Sequence, residues 1–163
     1  MVISTFQTLI PLKISSRYSF DTSAFIEMGQ LYPKDVFPTI WSKMESFMKN
    51  KIVLATDLVK DELELQHDDL FDFIKKNNPF VTPNKQEQQA VAILIQMPDF
   101  LDWAKSGLYN ADPFVVALGS IHNLIVVTQE KTTSPKKIPA ACKALGVSCI
   151  NFLEFLRKEN IKL

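Results

Sequence analysis

Four acidic residues of this sequence stand beside apolar runs, in positions where a carboxylate could do chemistry: Asp21, Glu62, Asp112 and Glu130. Asp21 ends a short, mostly apolar run at 17–20 and precedes two hydroxyl residues, which is typical of a strand that turns into a helix. In open α/β sheets the ligand crevice lies outside the carboxyl ends of the strands, so acids at strand ends are expected to meet there. Because no histidine accompanies these carboxylates, the pattern indicates a hard cation.

Short apolar runs alternate along the chain with segments of helical periodicity. Strands are predicted at residues 17–20, 52–55, 80–81, 124–127 and 147–150. Helices are predicted at residues 35–51, 58–64, 68–76, 82–97 and 138–145, from Pro113 onward and after Asn151, with Phe152, Phe155 and Leu156 as the apolar face of the last. Strands that alternate with helices favour an α/β fold with a parallel sheet.

Some of these positions have a purely structural explanation. Leu58, Glu62 and Leu65 are spaced as i, i+4 and i+7, so Glu62 shares an apolar helix face, where an unpartnered acid is costly. A partly exposed glutamate at the rim of that face fits the spacing equally well. Asp112 precedes Pro113, which predicts Asp112 as the N-cap of a helix. Capping and metal binding compete for the same oxygens, although one carboxylate can do both.

The helix at 82–97 is predicted to begin with Thr82 as N-cap and Pro83 as its first residue, and to stop at Pro98. Its core residues are predicted to be Ala90, Val91, Ile93, Leu94 and Met97.

Length and charge exclude several broad classes of protein. The chain has 163 residues, 47% of them hydrophobic, and eighteen charges of each sign, so it is neither disordered nor a strongly basic nucleic-acid coat. The charges are unevenly placed: residues 57–72 hold seven acids and one lysine, and residues 131–163 hold seven basic residues and two acids. An acidic centre and a basic tail could hold a cation and a polyanion together.

The remaining composition points to a cytoplasmic protein. Cys142 and Cys149 are too few for a disulfide framework and lack zinc-site spacing, so both are predicted to be small core residues in a reducing compartment. No apolar run approaches the ~20 residues that span a bilayer, and the amino terminus lacks the features of a signal peptide. Residues 17–163 are predicted as one domain, and residues 1–16 as an extension, either an extra edge strand or a loose segment.

The four acids and their flanking residues resemble the motifs of the PIN-domain nucleases, which include the VapC-type toxins of type II toxin-antitoxin systems. The similar segments are residues 20–26, 59–63, 111–117 and 126–130, which occur in the family's order. The family usually has an aspartate in the loop after the fourth strand, where this chain offers Glu130. The resemblance implies a three-layer α/β/α fold with about five mostly parallel strands, a Mg²⁺- or Mn²⁺-dependent ribonuclease, an antitoxin partner and a homodimer.

The resemblance also implies a role for each site residue. Asp21 and Asp112 are expected to contact the metal, and Glu62 and Glu130 to hold its waters or a second ion. Three hydroxyl residues are expected to orient ligands or phosphate, or else to act as caps and turn residues: Thr22, Ser23 and Thr128. Three loop lysines are expected to meet the RNA backbone, or else to be solvated charges: Lys131, Lys136 and Lys137.

Other enzyme classes fit less well. A haloacid-dehalogenase-type phosphatase needs a second aspartate where Ser23 stands, and a receiver domain needs an acidic pair that is missing here. His67 lies in an acidic stretch, His122 is predicted to end a helix, and no Gly-x-Ser-x-Gly motif is present, so no hydrolase triad is indicated. A PIN-like module that binds RNA or protein without cleavage remains the alternative.

Overall fold

The computed structural model describes residues 16–66, 68–105 and 110–162. Within these ranges strands and helices alternate along the chain, as the sequence predicts. The strands are β1 (Tyr18–Phe20), β2 (Val53–Thr56), β3 (Phe80–Val81), β4 (Ile125–Val127) and β5 (Cys149–Ile150). The helices are α1 (Thr22–Leu31), α2 (Pro38–Lys49), α3 (Asp57–Glu64), α4 (Asp69–Asn77), α5 (Lys85–Leu94), α6 (Leu101–Lys105), α7 (Asp112–His122), α8 (Ile138–Leu145) and α9 (Phe152–Lys158).

The strands form one parallel sheet with the order β3-β2-β1-β4-β5. The central strand β1 pairs Tyr18 with Val53 of β2 on one side and with Ile125 of β4 on the other. Helix α7 packs on β1, β2 and β4 with α5 and α8 beside it, whereas α1, α2, α4 and α9 form contacts among themselves. The predicted three-layer α/β/α class with five parallel strands is confirmed. All carboxyl ends of the strands therefore face one edge of the sheet.

Aromatic rings hold the last helix against the central strand. The ring of Phe155 lies 4.8 Å from that of Tyr18 and 5.0 Å from that of Phe20, both edge to face. Phe152 and Leu156 are buried too, so the predicted apolar face of the last helix is confirmed. The Tyr18 hydroxyl donates to the Glu159 carboxylate, which ties the end of this helix to the start of β1.

Helix α5 is shorter than predicted at both ends. Its N-cap is Asn84, whose side-chain oxygen accepts from the Glu87 N–H at 2.8 Å. The predicted cap, Thr82, instead donates its hydroxyl to Asp57 at 2.5 Å, across to α3. Of the predicted core residues Val91 and Leu94 are buried, whereas Ile93 is 62% exposed. A distant partner therefore decides which of two possible caps starts the helix.

Residue type accounts for the end of α8 and the start of α9. Gly146 follows α8 with φ of 68°, the left-handed conformation that glycine adopts without strain at a helix end. The Asn151 side chain caps α9 by accepting from Glu154 N–H at 2.8 Å.

Cys142 is buried and Cys149 half-buried, and both are free thiols. No helix among the described residues is long and apolar enough to cross a membrane. The predictions for residues 1–15 and for His67 lie outside the described residues.

Replacing Gly119 with alanine is expected to lower the free energy of unfolding by about 1–3 kcal/mol, because overpacking forces neighbours to move. A Cβ at this position of α7 would lie 2.8 Å from Val126 Cγ2 and 3.3 Å from the Leu124 carbonyl oxygen. Gly29→Ala is the matched control in α1, since its Cβ would meet only the flexible end of Leu70, at 3.1 Å. Urea unfolding of both variants measures the difference. Equal stabilities would show that the contact of α7 with β4 yields more easily than the distances suggest.

Candidate carboxylate site

Asp21 lies directly after β1 and is almost fully buried, with 3% of its surface exposed. Its Oδ2 accepts from the Ser23 hydroxyl at 2.6 Å and from the Thr128 hydroxyl at 2.9 Å. Burial raises the pKa of Asp21, and these hydrogen bonds oppose the shift in part. Two hydroxyl groups thus hold this carboxylate at the carboxyl edge of the sheet.

The ends of β1 and β4 are joined through the same hydroxyl groups. The Asp21 N–H donates to the Val127 carbonyl at 2.9 Å, and the Gln129 N–H donates to Ser23 Oγ at 2.9 Å. The hydroxyl oxygens of Ser23 and Thr128 lie 3.2 Å apart. Ser23 and Thr128, which the sequence predicts as supporting residues, therefore both contact the first acid.

Glu62 reaches the same edge of the sheet from α3. Its Oε2 accepts from the Thr22 hydroxyl, and its Oε1 accepts from the Ala111 N–H at 3.2 Å. Burial raises the pKa of Glu62, whereas the hydrogen bond from Thr22 lowers it. Thr22, in the first turn of α1, thus links the loop after β1 to the second acid.

The predicted apolar face of α3 is wrong. The buried residues of this helix are Val59 and Leu63, whereas Leu65 is 83% exposed. Glu62 is half-buried between Thr22 and the segment before α7, so it points at the other acids and does not interrupt the core.

Asp112 is the first residue of α7, and the predicted N-cap role is wrong. Ala111 occupies the N-cap position, and the Asp112 N–H donates to the Asn110 side-chain oxygen at 3.1 Å. No hydrogen-bond donor within the described ranges reaches the Asp112 carboxylate. The Asp112 carboxylate oxygens therefore do not cap the helix, and capping does not compete with metal binding.

The environment of Asp112 opposes its ionisation. Burial raises the pKa of Asp112 to about 8, and the negative charges of Glu130, Asp21 and Glu62 add to the shift, whereas Lys137 counters it. At neutral pH this carboxyl group is thus largely protonated unless a cation approaches it.

Glu130 follows β4 and lies against the start of α8. Its Oε2 accepts from the Ile138 N–H at 2.7 Å, which satisfies a free donor in the first turn of that helix. Its Oε1 lies 3.7 Å from Lys137 Nζ. Burial raises the pKa of Glu130, and the Ile138 bond and Lys137 oppose this. Glu130 therefore has a structural role in addition to its place beside the other acids.

Asp21, Glu62, Asp112 and Glu130 form one group of acidic residues, here called the acid cluster. The charges of the other three acids raise the pKa of Asp112, and the charge of Asp21 raises the pKa values of Glu62 and Glu130. No three acids, cysteines or histidines of the described chain are close enough to ligate one ion together. Three of the four carboxylates, those of Asp21, Glu62 and Glu130, each accept hydrogen bonds from neighbouring hydroxyl or backbone N–H groups.

The donor set of the acid cluster fits a hard cation. All its side-chain ligand atoms are oxygens, and Asp112, whose carboxylate no donor among the described residues reaches, has its pKa raised to about 8 by burial and by the other three acids. Mg²⁺ takes one or two carboxylates and keeps several waters, so it does not need a cage of three or four protein ligands. A cation between Asp112 and Asp21 would relieve the repulsion within the cluster.

The basic loop, residues 131–137, borders the acid cluster on one side. Lys137 contacts Glu130, whereas Lys136 Nζ lies 3.4 Å from Asp102 Oδ2 of α6, and Lys131 is exposed. The Trp103 ring N–H donates to the Lys136 carbonyl at 3.2 Å. This bond between α6 and the loop was not predicted, because the spacing of the two segments carries no signal for it.

A contact between a histidine and a buried glutamate lies at the other end of α7. His122 Nε2 is 2.7 Å from Glu87 Oε1, and Glu87 is 3% exposed. His122 ends α7, as predicted, and Glu87 was not predicted as a buried acid. Since α7 spans Asp112–His122, this pair is separated from the acid cluster by the length of the helix.

The fold and the site define an α/β protein with an acid cluster at the carboxyl edge of a parallel sheet. Residues 18–163 match the family described as Domain of unknown function (DUF4411), and the chain belongs to this family. No curated protein matches the chain. Since the family's description gives no activity, function has to be inferred from the site.

Proposed function

We propose that this protein is a metal-dependent ribonuclease in which the acid cluster holds Mg²⁺ or Mn²⁺. The observation that carries the proposal is Asp112: a half-buried carboxylate without a hydrogen-bond donor among the described residues, with its pKa raised to about 8 beside three further acids. Perturbed acids that converge at the ligand edge of an α/β sheet are typical of functional sites. The resemblance of four segments to the PIN-domain nucleases supports the same function.

In this proposal each acid and each neighbouring hydroxyl group has a role. Asp21 and Asp112 would hold the ion, and Glu62 and Glu130 would complete the negative charge around it. The hydroxyls of Thr22, Ser23 and Thr128 keep the Glu62 and Asp21 carboxylates in place. When bound, such a cation polarises the phosphate and makes water a better nucleophile. The basic loop would position the phosphates of the strand.

The direct test is RNA cleavage by purified protein. A mixture of single-stranded and structured RNA should be cut in Mn²⁺, and EDTA should stop the cutting. Retention of RNA in a mobility-shift assay without any cleavage would favour the alternative, a PIN-like binding module. If the RNA is neither retained nor cleaved, both functions are ruled out for the RNA tested.

The wider role is proposed on the resemblance alone. In this proposal the protein acts in the cytoplasm as the toxin of a type II toxin-antitoxin pair, a homodimer held inactive by a cognate antitoxin. A small neighbouring gene whose product binds this protein and suppresses cleavage would support that role. If no such gene lies beside the gene for this protein, the nuclease proposal is unaffected and the toxin role is rejected.

Replacing Lys131, Lys136 and Lys137 together with glutamine is expected to weaken RNA binding and flatten its salt dependence. Each phosphate contact to a single strand contributes a slope of about 0.7, so three contacts contribute about 2. Metal affinity should change little, because these ammonium groups do not ligate a cation. Binding titrations at several salt concentrations measure the slope.

The matched control is the triple glutamine replacement of Lys49, Lys75 and Lys76 on α2 and α4, which removes the same charge elsewhere on the surface. If both variants keep the wild-type slope, the loop lysines are solvated charges. The phosphate contacts would then be sought at Arg157 and Lys158 of α9.

A further inference from the structure

An apolar pocket of about 330 Å³ opens between α3, α5, α6 and α7. This volume lies within the range of small-ligand pockets. Trp103 and Val91 are buried in its wall, whereas Leu58, Ile95 and Phe114, which also line it, are half-buried. Two aromatic rings and several aliphatic side chains therefore surround a space that solvent can enter.

The pocket adjoins the acid cluster. Pro113, one of its lining residues, follows Asp112 directly at the start of α7. Leu58, another lining residue, lies one helical turn before Glu62 on α3. Residues four apart in a helix lie on the same face, so the pocket and the acid cluster share one stretch of surface.

The basic loop borders the pocket on a different side. Trp103 donates its ring N–H to the Lys136 carbonyl, and the Lys136 ammonium group lies 3.4 Å from Asp102 on the same short helix. One wall of the pocket is thereby bound to the loop that carries the lysines. The apolar space thus lies between a group of acids and a group of bases.

We propose that this pocket receives one nucleobase of a single-stranded RNA whose neighbouring phosphate lies at the acid cluster. This inference rests on the proposed function and specifies its substrate as an unpaired strand with one base turned out of the stack. Stacking of a base on an aromatic side chain tolerates any sequence, because every base has a π face. Unpaired bases of RNA are commonly splayed onto such side chains.

The surrounding charges favour a nucleotide over an apolar peptide or a second copy of this chain. An apolar protein surface that covered the pocket would also cover Glu62, Asp112 and Lys136, and burial of unpaired charges is costly. A nucleotide brings an apolar base together with a phosphate, which can pair with the lysines and with a cation at the acids. A nucleotide therefore matches both the apolar pocket and the charged groups around it.

Oligonucleotides with a single missing base test the pocket on the unmodified protein. Fluorescence anisotropy in Ca²⁺ would compare a labelled six-nucleotide RNA with six versions, each abasic at one position. Loss of a stacked base should weaken binding about 5- to 150-fold at one position, and much less elsewhere. Equal affinity for all versions would overturn the proposal.

Matched variants then assign the effect to the pocket. Leu58→Ala combined with Ile95→Ala enlarges the pocket and should remove the preference at that position. Ile93→Ala, an exposed residue of α5 outside the lining set, should retain it. If the double variant keeps the wild-type sensitivity at the same position, the base binds elsewhere and the pocket assignment is wrong.

The binding assay separates this inference from the nuclease proposal, since it does not require cleavage. Position-dependent binding without cleavage in Mn²⁺ would support the pocket and overturn the nuclease. Cleavage with equal tolerance of every abasic position would overturn the pocket alone. If light scattering shows a dimer that the double variant dissociates, and no base dependence is found, the occupant is a second copy and the nucleobase is excluded.

Discussion

Asp112→Asn is expected to reduce metal-dependent RNA cleavage by at least about 10³-fold while the protein stays folded. Asparagine keeps the size of the side chain but removes the negative charge that a cation needs, and metal-assisted catalysis supplies several kcal/mol. The substitution breaks no hydrogen bond among the described residues, because no donor there reaches this carboxylate. Single-turnover cleavage of a labelled RNA in Mn²⁺ measures the effect.

The control for this experiment is Asp61→Asn, which removes an exposed acid of α3 next to Glu62. It should keep near wild-type activity. If the Asp112 variant still cuts RNA at the wild-type rate, the activity comes from another site or from a contaminating ribonuclease. Circular dichroism and the melting temperature of both variants establish that they are folded.

The second large effect concerns stability without metal, which we expect to fall as the pH rises. Asp112 has a pKa near its usual 3.8 when unfolded and about 8 when folded. Between these values the folded state binds more protons than the unfolded state, so the free energy of unfolding decreases with increasing pH. The burial and repulsion that raise the pKa of Glu62 act in the same direction.

Mg²⁺ should reverse this loss, and more strongly at pH 8 than at pH 5, where protons compete with the ion. A concentration of 100 times Kd stabilises by about 2.7 kcal/mol, or roughly 5–10 °C in Tm for a chain of this size. Asp21→Asn should abolish the rise in Tm. Thermal melts in EDTA and in Mg²⁺ at both pH values measure it.

Two comparisons test whether Asp112 causes the pH dependence and whether Asp21 holds the ion. Asp112→Asn in EDTA should be more stable than wild type at pH 8, by several kcal/mol, and similar at pH 4. The difference between the two proteins removes the contributions of the groups that both share. If titration calorimetry finds equal Mg²⁺ affinity for wild type and Asp21→Asn, Asp21 does not hold the ion.

The sequence determined the layout of strands and the place of three acids. Apolar runs too short for helices predicted all five strands, and Asp21 and Glu130 follow two of them. Strands that alternate with helices pair in parallel, and parallel strands end at one edge, so acids at their ends were expected to converge. Proline after Asp112 placed the start of α7 correctly to within one residue.

Which polar groups form hydrogen bonds with each other depends on the packing of distant segments. Thr82 and Asn84 are both good caps by type, and Asp57 on another helix takes the Thr82 hydroxyl. Periodicity placed Glu62 on an apolar face, but the contacts with Thr22 and Ala111 turn it towards the acids. The bond from Trp103 to Lys136 joins segments more than thirty residues apart. The sequence pattern of one helix or strand shows only the spacing of residues along that element. Hydrogen bonds and desolvation depend on neighbours that come close only when the layers have assembled.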